Sequence, residues 1–167
     1  QAYGFTNYAS LFTARQATAL VTFSDLVGAA RQRIHKDAIA AGLPEGERLE
    51  SGGTGAAAYA DAVATYLGFV QSKMTNLSSS ITTWMSDRGA FRETFARQAI
   101  PMAWDFAEAN VFSDAGGGWL TVLDKESKAI AAVPMGSGEA NQADASNRPF
   151  DGLLISTDPP YYDNIGY

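Results

Sequence analysis

The sequence contains no cysteine and a single histidine. The first absence removes disulfides and thiolate metal sites, and it is compatible with a reducing, cytoplasmic compartment; no metal-binding residues are singled out. The histidine, His35, sits in Arg33-Ile34-His35-Lys36-Asp37 with no evident partner, which fits a solvated helix face better than catalysis. Positive charge is also scarce, and the net charge is −6. A free-standing nucleic-acid binder carries a basic footprint, so any DNA contact must be local or come from elsewhere in a larger protein. No apolar run approaches the ~20 residues that span a bilayer, and no membrane partner is expected. The chain opens on Gln1 with no basic-then-apolar leader, which reads as an excised segment of a longer protein.

Apolar residues make up 46% of the chain and charged residues 18%, a balance that supports one packed domain rather than disorder. Thr13-Ala14-Arg15-Gln16 reads as a capping box. Leu20, Phe23, Val27, Ala30 and Ile34 then recur in steps of three and four, which predicts a helix that Gly42 and Pro44 end. The polar, glycine-bearing stretch from Pro44 to Gly55 reads as a loop with freedom to move. Tyr59, Val63, Tyr66, Val70, Met74 and Leu77 form a second stripe, placing Tyr59 and Tyr66 in the core and weakening the helix at Ser78-Ser79-Ser80. Two such helices joined by a loop predict an antiparallel pair.

Farther on, Phe91 to Phe95 reads as a short helix, and Pro101 suits the first turn of another. Asp114 is a candidate cap for a helix running through Leu120, Val122, Leu123 and Ile130. The chain then turns small and polar, with a candidate short strand near Ala140 to Gln142. Leu153-Leu154-Ile155, bounded by Gly152 and Pro159, reads as a buried strand.

Asp158-Pro159-Pro160-Tyr161 follows that expected strand directly, and ligands in open α/β sheets bind beyond strand carboxyl ends. Proline fixes its own φ and restricts the residue before it. The two prolines lack N–H groups, so with the Asp158 carboxylate they form a rigid edge of acceptors. An exocyclic amine presents the matching donors, and Tyr161 offers a face on which a base can stack.

This tetrad resembles the [Asn/Asp/Ser]-Pro-Pro-[Tyr/Phe] motif of S-adenosylmethionine-dependent amino-methyltransferases. The longer "TDPPYYDN" is similar to a segment of a family of large adenine-specific DNA methylases. "LFTARQATAL" at Leu11 to Leu20 and "RQAIPMAWDFAEAN" at Arg97 to Asn110 resemble further segments of that family, in the same order. The resemblance implies that Asp158 and the Pro159 carbonyl accept hydrogen bonds from the target amine, that Pro160 rigidifies the loop, and that Tyr161 stacks on a flipped base. Asp144 stands about where the family holds the adenine of S-adenosylmethionine. DNA is the implied partner, reached through the larger protein. The family's cofactor loop, Asp-Pro-Phe-x-Gly-x-Gly after a strand, has only a distant counterpart in "NVFSDAGGGW" at Asn110 to Trp119. That stretch reads as a loop and helix cap, and the true cofactor loop is expected upstream.

The expected fold is therefore mainly α with a small α/β part. A helical insertion region covers 1–136. One or two strands of a truncated Rossmann-like methyltransferase sheet follow over 137–167, ending in the DPPYY loop. The expected function is a fragment of a DNA adenine-N6 methyltransferase, inactive by itself and, with its strand unpaired, open to homodimer formation. The alternatives are a non-catalytic helical interaction module, or a methyltransferase acting on RNA or on a protein amide. Plainer readings stand beside several residues. Asp144 also suits a turn or helix cap; Arg31, Arg33 and Lys36 suit a polar helix face as well as phosphate; Trp84 and Trp104 suit a core or interface; Asp105 and Glu108, three apart on an expected helix, suit exposed charges.

Overall fold

The computed structural model describes residues 4–96, 99–134, 136, 138, 141–147 and 149–158. Two compact units divide between Val133 and Pro134. Among the described residues the first holds α1 (Ala14–Ala40), α2 (Ala56–Leu77), the strands β1 (Thr83–Met85) and β2 (Ala90–Arg92), and α3 (Trp119–Ala132). The chain is mainly helical with one small two-stranded antiparallel sheet.

The expected capping box starts α1. Thr13 Oγ1 accepts from the Gln16 amide at 3.2 Å, and the Thr13 amide donates to Gln16 Oε1 at 2.9 Å. At the other end Gly42 takes φ 93°, a conformation in which a Cβ is strained. Leu43 N then donates to Ala38 O and Gly42 N to Ile39 O, the six-to-one and five-to-two closure of a Schellman motif.

Residues 44–55 are not a free loop. The Ala56 and Ala57 amides donate to the carbonyls of Pro44 and Glu45, so the loop caps α2 with its own backbone. A Cβ on Gly55 would sit 2.5 Å from Pro44 O, so this cap requires glycine. His35 Nε2 lies 2.8 Å from Glu45 Oε1, a partner absent from the sequence-based expectation.

The two long helices pair antiparallel: Leu20 O accepts from Gln71 Nε2 at 2.7 Å near one end, and Arg31 meets Asp61 nearer the other. Leu20, Val70, Met74, Leu77 and Val122 form the core, with Phe12, Phe91, Val111, Trp119 and Leu123 packed on it. Phe23 of α1 stacks on Trp119 of α3 at 4.4 Å, which fixes α3 against the pair. The stripe expected on α2 is buried at Val70, Met74 and Leu77 but turns outward nearer the N-terminus. Tyr59 and Tyr66 are 53% and 44% exposed, whereas Ala56, Ala57 and Ala60 face inward. Small residues let the two backbones approach, and the larger aromatics are left on the outside.

Beyond α2 the serine run closes on a buried triangle of hydroxyls, in which Ser79, Thr82 and Thr94 lie 2.8–3.1 Å apart. The expected helix over Phe91 to Phe95 is instead β2 and the turn after it. Its register with β1 is Thr83↔Arg92, Trp84↔Phe91 and Met85↔Ala90. Gly89, at φ 59°, supplies the left-handed turn residue, and Trp84 and Phe91 meet edge to face at 5.2 Å. The stretch from Pro101 to Asn110 is irregular rather than helical. Its Ala107 amide is committed to Thr82 O at 2.7 Å, which holds the segment against the turn before β1. Trp104 is 91% exposed, so it is not core, and Trp84 is half-exposed. α3 forms as expected, but Gly118 rather than Asp114 precedes its first turn.

In the second unit, Ala145–Asn147 form one 3-10 turn. Leu153, Leu154 and Ile155 form no strand and are all more than half exposed. The expectation of a buried strand there fails because no described segment of that unit offers a ladder of partners, and a strand needs one. Asn141 and Gln142 form no strand either, and Ala140 lies outside the described residues.

Candidate functional site

Of the tetrad, the structure describes Asp158 alone. It is exposed and lies in the irregular stretch 153–158. Pro159, Pro160 and Tyr161 lie outside the described residues.

Asp144 is engaged locally. Its Oδ1 accepts from the Ser146 amide at 2.9 Å and from Ser146 Oγ at 2.7 Å, and its Oδ2 accepts from Asn147 Nδ2 at 3.2 Å. The Ser146 hydroxyl, then its amide, hold this carboxyl below the usual range. This is the geometry of a cap on the 3-10 turn. Oδ2 keeps a further lone pair, so the cap does not exclude a second partner.

The two other segments that carry the resemblance meet in the first unit. Arg15, from "LFTARQATAL", forks onto Glu108, from "RQAIPMAWDFAEAN", with NH2 to Oε2 at 2.6 Å and Nε to Oε1 at 3.3 Å. Glu108 raises the Arg15 pKa through this hydrogen bond and its charge. The sequence pattern predicts Glu108 beside Asp105 on one helix. In the structure the segment is irregular, and Glu108 reaches across to α1.

A second charged node went unforeseen. Asp61 is 8% exposed. It accepts from Arg31 Nε at 2.6 Å, Arg48 Nε at 3.1 Å and the Leu49 amide at 3.1 Å. Its pKa falls to about 2, first through the Arg48 hydrogen bond and then through that from Arg31. The sequence signal was a lone carboxylate inside the otherwise apolar "AAAYADAVATY". The node clamps residues 48 and 49 onto the helix pair.

These contacts settle most of the cations. Arg31 is spent on Asp61 and Arg33 on Asp37, while Lys73 bonds Glu93. Lys36, Arg92 and Lys125 have no carboxylate partner among the described residues, and three scattered cations do not make a phosphate track. No group of three or more acidic or histidine side chains is placed to hold a metal among the described residues.

The "NVFSDAGGGW" stretch forms a turn led by Asn110, whose Oδ1 accepts from the Phe112 amide and whose carbonyl accepts from Ser113 Oγ. Gly117 and Gly118 pack shut, since a Cβ would lie 2.5 Å from Ala109 Cβ and 1.6 Å from Ser113 O respectively. The described residues directly before it, 99–109, form no strand. This turn therefore lacks the strand-then-glycine-loop form of the family's cofactor loop. No family model, curated protein or solved structure matches this chain.

Proposed function

We propose that this chain is part of an adenine-specific DNA methyltransferase, contributing a helical insertion and the base-recognition loop. The reading rests on three sequence segments in the family's order. The observation that supports it is the Arg15–Glu108 fork, which joins two of them although they lie far apart in sequence. A pairing between separate segments gives a physical reason for their occurring together.

This chain's part in the chemistry is to bind and orient. The Asp158 carboxylate and the Pro159 carbonyl accept the two N–H donors of an extruded adenine, which turns the nitrogen lone pair away from the ring plane and toward the incoming methyl group. Tyr161 covers the face of the base. Catalysis of this kind comes from positioning and needs no covalent intermediate on the protein. The methyl donor, S-adenosylmethionine, is held by parts of the larger protein, with Asp144 as the one candidate contact here.

The test is transfer of a labelled methyl group by the full protein, offered duplex DNA, single-stranded RNA and a glutamine-bearing peptide in parallel. Label on adenine N6 of DNA is expected. Label on RNA or the peptide alone selects the alternative acceptors, and no label on any acceptor overturns the reading.

A further inference from the structure

The first unit contains a cavity of about 600 Å³ between the hairpin, the end of α2, the glycine turn and the first turns of α3. Clefts that hold small molecules run from roughly 300 to 1,000 Å³. Its base is apolar, made by the buried side chains of Leu77 and Val122. Trp84 forms part of the wall, braced edge to face by Phe91 on the neighbouring strand. Half of Trp84 is exposed, so the brace leaves surface free for a ligand.

The backbone of the glycine turn forms another part of the wall. Gly117 excludes any side chain, as its Cβ would strike Ala109 and approach Phe91 Cε2 to 3.1 Å. Gly116 differs: a Cβ there would meet nothing within 4 Å. Bare backbone at Gly116 is thus not demanded by packing, and it leaves room inside the cavity.

The charges balance. Lys73 and Lys125 line the cavity together with Glu93 and Glu126. Lys73 is bonded to Glu93. Lys125 and Glu126 have no partner among the described residues, which leaves one donor and one acceptor on the first turns of α3.

We propose that this cavity binds a neutral, planar nitrogen heterocycle of nucleoside size. The ring lies against Trp84, Glu126 accepts from an amine or imide N–H, and Lys125 donates to a ring nitrogen or carbonyl oxygen. A phosphate is disfavoured, because two carboxylates offset the two ammonium groups. The inference stands on the cavity and does not depend on the closing tetrad, so methyl-transfer activity neither supports nor removes it.

The experiment titrates the protein with adenosine, guanosine, uridine and adenosine monophosphate, read by tryptophan fluorescence and calorimetry. Saturable one-site binding of at least one nucleoside is expected. Gly116→Leu, which adds a side chain at the cavity wall, should weaken it ~10-fold or more at an unchanged melting temperature. If that variant does not fold, Glu126→Gln serves instead, and should weaken the same nucleoside while leaving the fold intact. Absence of saturable nucleoside binding overturns the proposal. So does wild-type affinity in the folded variant, or binding of the monophosphate ~10-fold tighter than adenosine.

Discussion

Arg15 and Glu108 stand ninety-three positions apart and meet through two hydrogen bonds, at 2.6 and 3.3 Å. Arg15 is on the first turn of α1, and Glu108 is on the irregular segment before α3. The fork pins that segment to the helix pair. Reversing one charge places like charges face to face, so Arg15→Glu should lower the melting temperature. Adding Glu108→Arg should restore part of the loss. Thermal melts of the two single variants and the double variant measure this coupling, and additive losses would show that the fork carries none.

The core makes a second expectation quantitative. Met74 is 1% exposed in the core cluster, so Met74→Ala should cost ~2–5 kcal/mol. Tyr59, on the same helix but 53% exposed, should cost about 0.5 kcal/mol or less when replaced by alanine. Urea unfolding of the two variants distinguishes them. Equal losses would mean that the buried and exposed faces of α2 are wrongly placed.

The two tyrosines show where sequence reasoning stopped. The bounds of α1 were legible because capping box, terminal glycine and three-four spacing agree; those of α2 rested on the spacing and the serine run after Leu77. The inward face of the first turns of α2 was not legible, because it is alanine and the hydrophobic bulk of Tyr59 and Tyr66 outweighed it in the pattern. The hairpin was hidden for a similar reason. Phe91 to Phe95 is apolar enough for either element, and the deciding signal was the Ser-Asp-Arg-Gly turn at 86–89, whose glycine takes positive φ. At the candidate site, residue chemistry made Asp144 legible as a cap. The partners of Glu108 and Asp61 lie across long loops that no local pattern encodes.

Acid should act through Asp61. Its carboxyl is depressed to about 2 by Arg48 and Arg31, whereas an unfolded aspartate titrates near ~3.9. The stability this contributes is present above the unfolded value and is lost as pH falls through that value toward about 2. Asp61→Asn should therefore destabilise the chain at neutral pH and flatten the acid limb of its stability curve. Melts between pH 7 and the acid transition test this. An acid limb as steep in the variant as in the wild type would assign the acid sensitivity to other carboxylates.

Intact S-adenosylmethionine, with its charged methionine tail, should bind this chain alone weakly or not at all, since Gly117 and Gly118 are packed against Ala109 and Ser113 and residues 99–109 directly before the turn form no strand. Calorimetric titration checks the point. Stoichiometric micromolar binding would locate a cofactor site within these residues and contradict the division of labour proposed above.

The central claim is that Asp158 positions the amine that receives the methyl group. It is tested most directly by single-turnover methyl transfer to DNA adenine in the full protein carrying Asp158→Ala. The account predicts a fall of ~100-fold or more in the transfer rate, with the affinity for S-adenosylmethionine essentially unchanged. Transfer at the wild-type rate would contradict it.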